Sequence, residues 1–335
     1  MIIIAGATGY IGRYLCSYLK ERNYDVIALG RNSTALSFLQ NMGVNTIDFD
    51  ILNDNDYKKL PTRNVEAIIN LAVALPEHEI PTERFHEINV VGNNKLLEFA
   101  HKNSISRYIM ASTHKVYNDI YRPIITEMDL PSFQGPHSPY IISKLTAEYW
   151  MQYYGKEYGM DTIVLRLTGV QGYGALMGFL KADGSYTKST CEIFMDQAML
   201  GKTIEVWGDI NIRRSHVYIK DVVRAFEAAI ITKNGTKGIF NVSCGIAYNQ
   251  YEEALVIAKV FTTDKGISNV VLCPNKPGLT RGYQYSIEKI KSVMGWEPQF
   301  SNLFTMYLDY KKEWEEGRFH NYHNIKEEYK PLIFK

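Results

Sequence analysis

In the stretch Tyr140-Ile141-Ile142-Ser143-Lys144 a phenol and an ammonium stand four residues apart. On a helix that spacing puts both side chains on one face, one turn from each other. A nearby ammonium stabilises phenolate and draws a phenol pKa down from about 10, so Tyr140 could take a proton from a hydroxyl, or return it, while a hydride moves. The same pattern also describes a surface aromatic beside a lysine, and it gains meaning from a second motif. Gly6-Ala7-Thr8-Gly9-Tyr10-Ile11-Gly12 carries glycines at intervals of three, directly behind the apolar run Ile2 to Ala5. A tight turn there needs a residue without Cβ, the backbone must come close to a pyrophosphate, and a helix N-terminus presents free N–H groups at the positive end of its dipole. Ile11, Leu15, Cys16 and Leu19 recur at helical spacing, so a strand precedes the turn and a helix follows it. Gly6, Thr8, Gly9, Tyr10, Ile11 and Gly12 are therefore read as a dinucleotide cradle rather than a plain glycine-rich turn.

The end of the second strand should read the adenosine ribose, and it runs Leu29-Gly30-Arg31-Asn32-Ser33, with no acidic residue. A carboxylate would hold both ribose hydroxyls of NAD and repel a 2′-phosphate, whereas Arg31 could pair with that phosphate and tilts the reading towards NADP. Arg31 could equally stack on the adenine or face solvent, so NAD and NADP both stay open. Asp50 and Ile51, behind a third strand, could border the adenine; Asp50 could also be an exposed loop carboxylate.

The elements that must position these residues follow from the alternation of β-rich runs with helical periods, the pattern of a parallel sheet covered on both faces. Strands are expected at Ile2 to Ala5, Tyr24 to Leu29, Ala67 to Ala72, Arg107 to Ser112 and Thr162 to Leu167, and helices at Asn89 to Ala100 and Tyr140 to Tyr154. The fold class is α/β, a Rossmann-like doubly wound sheet with a smaller α/β C-terminal substrate domain. A glycine- and tyrosine-rich stretch from Gly169 to Tyr186 marks the change of domain, giving a dinucleotide-binding domain at 1–168 and a substrate domain at 169–335, with part of 217–243 returning to the first. Thirty-seven Lys and Arg against 36 Asp and Glu leave a formal charge of +1 in 335 residues, no footprint for nucleic acid or an anionic membrane. The four cysteines, Cys16, Cys191, Cys244 and Cys273, lie far apart without metal spacing, so they are read as reduced thiols and no metal is expected. Neither a signal peptide nor a membrane span is visible, which makes the cytoplasm the default location.

Further pieces agree in order and spacing: Asn70-Leu71-Ala72; Asn89-Val90-Val91-Gly92-Asn93; Ala111-Ser112-Thr113 before Val116-Tyr117; Ser138-Pro139-Tyr140 to Lys144; Leu165-Arg166; Arg214 before Val217 to Val222; Phe240-Asn241-Val242; and Met294 to Pro298. With the glycine turn they make the chain resemble, over nearly its whole length, the extended short-chain dehydrogenases/reductases of the nucleotide-sugar epimerase/dehydratase group. The resemblance implies that Thr113 hydrogen-bonds the reacting sugar oxygen, Tyr140 is the base, Lys144 holds the nicotinamide ribose, and Leu71, Ala72 and Asn89 border the cofactor. It further implies that Arg214 and Arg281 meet the diphosphate of a nucleotide-sugar substrate, a homodimer, and oxidation of a sugar hydroxyl to a transient keto sugar. The family's dehydratases resemble Thr-Asp-Glu where this chain has Thr113-His114-Lys115, which disfavours elimination. His114 is placed on the substrate, as a lining residue or as an additional acid or base, since free imidazole titrates near neutrality. Gly169 stands where the family often has an Asn that contacts substrate, so the sugar is left unnamed. The reading is an NAD(P)-dependent nucleotide-sugar epimerase; its rivals are an NADPH-dependent keto-sugar reductase and a non-catalytic dinucleotide sensor.

Overall fold

The computed structural model describes residues 1–76, 80–131, 137–175, 177–181, 183–317, 319 and 326–334. Its centre is a seven-stranded sheet, all neighbours parallel, in the order β3 (Asn45–Asp48), β2 (Val26–Gly30), β1 (Ile2–Ala5), β4 (Ala67–Asn70), β5 (Arg107–Thr113), β6 (Asp161–Leu167) and β13 (Gly238–Val242). β1 shows why the sheet lies in the middle. Its alternate residues serve two cores: Ile2 and Ile4 pack with Leu15, Val222 and Phe226 on one face, Ile3 and Ala5 with Leu96, Met151 and Val164 on the other. A strand buried on both faces reads as an unbroken apolar run, which is what Ile2 to Ala5 is.

The first face is covered by α1 (Tyr10–Glu21), α2 (Ser33–Asn41) and α7 (Ile219–Ile231), the second by α4 (Asn93–Lys102) and α5 (Pro139–Glu157). The helix expected from Asn89 instead begins at α3 (Thr82–His86) and passes through a π-helical turn, Glu87–Gly92, before α4. The wider turn fits the crowding there, where a Cβ on Gly92 would sit 2.8 Å from Ile51 Cγ2. α5 starts where the sequence dictates. Ser138 is its N-cap, the hydroxyl accepting from the N–H of Ile141, and Pro139 occupies the first turn, so Tyr140 emerges at the very start of the helix.

Beyond β6 the chain forms β7 (Gly169–Gln171), β8 (Phe179–Leu180), β9 (Tyr186–Thr187), α6 (Thr190–Met199), β10 (Ile204–Trp207), β11 (Arg213–Arg214) and β12 (His216–Tyr218). After β13 come β14 (Tyr248–Asn249), α8 (Gln250–Val260), β15 (Val270–Cys273), α9 (Glu288–Met294) and α10 (Leu303–Glu316). These short strands pair two by two, β7 with β12, β8 with β9, β10 with β15 and β11 with β14. Capping boxes at Ser189–Glu192 and Asn249–Glu252 set the starts of α6 and α8. Among the described residues no helix is long and apolar enough to cross a membrane.

Candidate active site

The sheet order reverses between β1 and β4, and at such a point the loops leaving the two strands part and open a crevice. The glycine turn fills that gap. Gly6 adopts φ +76°, and a Cβ there would lie 2.5 Å from the main chain of Leu71 and Ala72. On Gly12 it would lie 2.4 Å from the carbonyl oxygen of Gly6 and 2.6 Å from Ala7, so α1 rests directly on the turn. Gly9 differs: its φ is an ordinary −75° and a Cβ would meet only the Gly6 oxygen, at 3.3 Å. Gly9 is also the N-cap of α1, with no side-chain cap and no acidic residue in the first turn, which leaves the helix end to an anion.

A cavity of about 530 Å³ extends along these strand ends, bordered by Arg31, Asp50 and Ile51 beside β2 and β3, by Gly6 to Gly12 with Leu71 and Ala72 in the middle, and by Thr113, His114, Tyr140 and Lys144 beside β5. Thr168 to Val170 and Ala175 close it from the second half of the chain. At its outer end Arg31 Nη1 lies 3.6 Å from an Asp50 carboxylate oxygen, and both side chains are substantially exposed. The two residues read separately from the sequence thus face each other.

At the inner end, Lys144 is buried and donates from Nζ to the carbonyl of Ala111 at 2.7 Å. Burial pulls its pKa down to about 8, against the opposing attraction of Glu148. Thr113 closes β5, and its hydroxyl oxygen accepts the N–H of Lys115 at 3.2 Å, capping the 3-10 turn His114–Tyr117. That contact uses a lone pair of the hydroxyl and not its proton. His114 Nδ1 is 3.0 Å from the Tyr285 hydroxyl, and its ring packs against Tyr283 and Tyr285. Burial first, then the positive charges of Lys115, His216, Arg214 and Arg281, hold its pKa down to about 3. His114 is therefore a neutral imidazole near pH 7, and the imidazolium acid left open by the sequence is not available there.

Three expected contacts are occupied differently. Asn89 does not border the cavity: its side-chain oxygen accepts the N–H of Ala74 at 2.7 Å, while its amide donates to the Ala74 carbonyl and to Ser143 Oγ at 2.9 Å. It fastens the loop after β4 to α5, between Tyr140 and Lys144. Arg281 and Arg214 also stand outside the cavity wall. The Arg281 guanidinium donates to the carbonyls of Tyr117, Asn118 and Ile120 at the end of the 3-10 turn, because a fork built for phosphate oxygens grips converging carbonyls as well. Arg214 Nε donates to the carbonyl of Arg281 at 2.8 Å and its guanidinium lies over the Tyr283 ring. Both arginines thus brace the turn that carries His114.

One arrangement escaped the sequence reading. Glu148, one turn beyond Lys144, accepts from Ser112 Oγ and from Arg166, whose Nε lies 3.1 and 3.2 Å from its two oxygens. A signal was present in the third residue of the series 140, 144, 148, all on one helix face.

Comparison with known proteins accords with this geometry. A family model described as "NAD dependent epimerase/dehydratase family" matches residues 2–243. A UDP-glucose 4-epimerase of Halalkalibacterium halodurans is 25% identical over 96% of this chain and 97% of its own length. The dTDP-D-glucose 4,6-dehydratase of Homo sapiens is 24% identical over 99% and 94%. Among solved structures, the UDP-glucose 4-epimerase of Thermotoga maritima with UDP-glucose superposes with a TM-score of 0.75 at 23% identity, over 93% of this chain and 98% of that one. A parallel sheet with a glycine turn at its switch point and a family match across more than two thirds of its residues place the chain in the NAD-dependent epimerase/dehydratase family of extended short-chain dehydrogenases/reductases.

Proposed function

We propose that this protein is an NAD(P)-dependent nucleotide-sugar epimerase that works through a transient keto sugar. The observation that carries the reading is that Thr113, Tyr140 and Lys144 border one cavity with the glycine cradle. The cradle fits a dinucleotide: main chain stands where any Cβ on Gly6 or Gly12 would go, and the α1 N-terminus carries no acidic residue. The turn Gly6 to Gly12 would hold the pyrophosphate, Arg31, Asp50 and Ile51 the adenosine, Leu71 and Ala72 the middle, and Lys144 the nicotinamide ribose. When bound, the nicotinamide supplies a hydride acceptor and donor.

The chain's own residues handle the proton. Tyr140 removes it from the sugar hydroxyl, helped by an ammonium one helical turn away that favours phenolate. Thr113, with its hydroxyl proton directed by the capping contact, donates to the same sugar oxygen and orients it. Returning the proton from Tyr140 after the keto sugar has turned completes an epimerisation. The pair His114 and Lys115 replaces the acid and base that elimination requires, which supports epimerase over dehydratase. His114, neutral and anchored on Tyr285, is a fixed wall of the sugar pocket. A homodimer is part of the same reading, supported by the exposed Ile142, Tyr149, Trp150 and Tyr153 on one side of α5, as is a cytoplasmic location.

Arg31 favours a second reading, a keto-sugar reductase using NADPH. Arg31→Ala should weaken NADPH binding by about 1.5–3 kcal/mol, roughly ten- to a hundredfold in Kd, and leave NADH within a factor of about two. Fluorescence titration with both nucleotides reads this directly, and unchanged NADPH affinity removes Arg31 from the 2′-phosphate. The decisive test of the function is to denature the purified protein, identify released dinucleotide by mass spectrometry, and then offer nucleotide sugars to fresh protein. Retained NAD(H), sugar interconversion and no net change in the reduced-nicotinamide absorbance support the epimerase. Empty protein that steadily consumes NADPH with a keto sugar makes it a reductase.

A further inference from the structure

Resting on the reading of Lys144 as the residue that needs its ammonium, we infer that Glu148 is a positioning residue that acts through Lys144, its carboxylate serving as the buried counter-charge behind the catalytic face of α5. Three side chains of that face, Tyr140, Lys144 and Glu148, follow at steps of four and are all buried. Two of them hold consecutive residues of β5: Lys144 Nζ donates to the carbonyl of Ala111, and Glu148 accepts from the hydroxyl of Ser112. The next residue of that strand is Thr113. Glu148 thereby ties helix to strand at the residue before Thr113, and it carries the opposite charge that acts on the buried Lys144 ammonium.

A salt bridge on its own does not need to lie here. Glu148 is 2% exposed and Arg166 is 3% exposed, and a buried pair of this kind is at best weakly stabilising when set against apolar residues of the same volume. The arrangement has a use when Lys144 is included. A buried lysine tends to lose its proton, and burial alone pulls Lys144 downward; Glu148 is the opposing influence. Arg166, in turn, holds Glu148 in place through the Nε contacts and a second nitrogen, and rests over the Tyr117 ring at 4.5 Å. The titratable and charged groups that share these surroundings are Tyr140 and Glu148 on α5, His114, Lys115 and Tyr117 on the turn after β5, Arg166 on β6, and Glu127, whose carboxylate accepts the N–H of Asn241. Of the two carboxylates, Glu148 is the one on the helix face of Lys144.

The test is the titration of Lys144 itself, followed by NMR in protein carrying labelled lysine, with the signal assigned by its loss in Lys144→Met. No cofactor or sugar is needed, so the result stands apart from the functional reading. Glu148→Gln keeps the hydrogen-bonding shape and removes the charge, and it should move the Lys144 midpoint down by about one pH unit. Glu148→Gln leaves Arg166 buried without its partner and will lower stability, so Glu148→Gln combined with Arg166→Met is measured beside it. The double variant restores stability towards wild type, and its Lys144 midpoint stays low. In both variants dinucleotide affinity, measured with NADH and with NADPH, should fall off at correspondingly lower pH. A Lys144 midpoint that matches wild type in the folded double variant overturns the proposal and leaves Glu148 a packing residue. Wild-type protein that titrates as described yet binds neither dinucleotide keeps this proposal and sinks the functional one.

Discussion

Tyr140→Phe leaves a folded protein that binds dinucleotide as before and turns over substrate about 10²–10⁴-fold more slowly. The change removes one oxygen. Tyr140 is buried with its ring 6.3 Å from that of Phe85, a packing contact that phenylalanine keeps. Lys144 and the glycine cradle are untouched, hence affinity for NADH or NADPH should stay within a factor of about two while the proton has no acceptor. Single-turnover rates separate the two effects, because they report the chemical step apart from product release. Activity within tenfold of wild type would take the base role away from Tyr140.

The glycine turn supports the second large effect, and it splits into two. Gly12→Ala places a methyl against main-chain atoms of Gly6 and Ala7 at 2.4 and 2.6 Å, none of which can rotate aside. α1 must lift from β1, at a cost of about 3 kcal/mol, read as an earlier midpoint in denaturant. Gly9→Ala meets only one oxygen at 3.3 Å, with a φ that alanine adopts freely, so stability changes by less than about 0.5 kcal/mol. Its methyl projects into the cavity at the α1 N-terminus, where a pyrophosphate must approach, and dinucleotide binding should weaken on the order of tenfold or more. Unaltered binding by a stable Gly9→Ala protein would move the cradle elsewhere.

These two glycines show what the amino-acid sequence displays well. The turn, the strand before it and the helix after it lie within twenty residues, and Tyr140, Lys144 and the Ser-Pro cap lie within seven, so local geometry is enough to read them. Five of the seven parallel strands, β1, β2, β4, β5 and β6, follow from the same kind of signal. What stayed hidden depends on partners far along the chain. Asn89 was placed at the cofactor by the family resemblance, and its hydrogen bonds go to Ala74 and Ser143, 15 and 54 residues away. Arg281 reaches back more than 160 residues to carbonyls that carry no sequence signature at all. The Arg31–Asp50 pairing joins two loops whose proximity is a property of the sheet order and not of either loop. For Glu148 the clue lay in plain view at the next helical step, and only its burial against Arg166 reveals it as more than a solvated charge.

The grip of Arg281 on the turn behind Thr113 also bears on how the molecule comes into being. Ribosomes deliver a chain from its N-terminal side, so by Val242 every strand of the central sheet has been made, together with Thr113, Tyr140 and Lys144. Arg281 and Tyr285, which steady the His114 turn from behind, emerge about forty residues later, a delay of a few seconds at roughly 5–20 residues per second. The nascent chain therefore carries Thr113, Tyr140 and Lys144 before it carries the side chains that hold the turn behind Thr113. The glycine turn and the strands around it are thus complete in the chain before the residues that brace the His114 turn arrive.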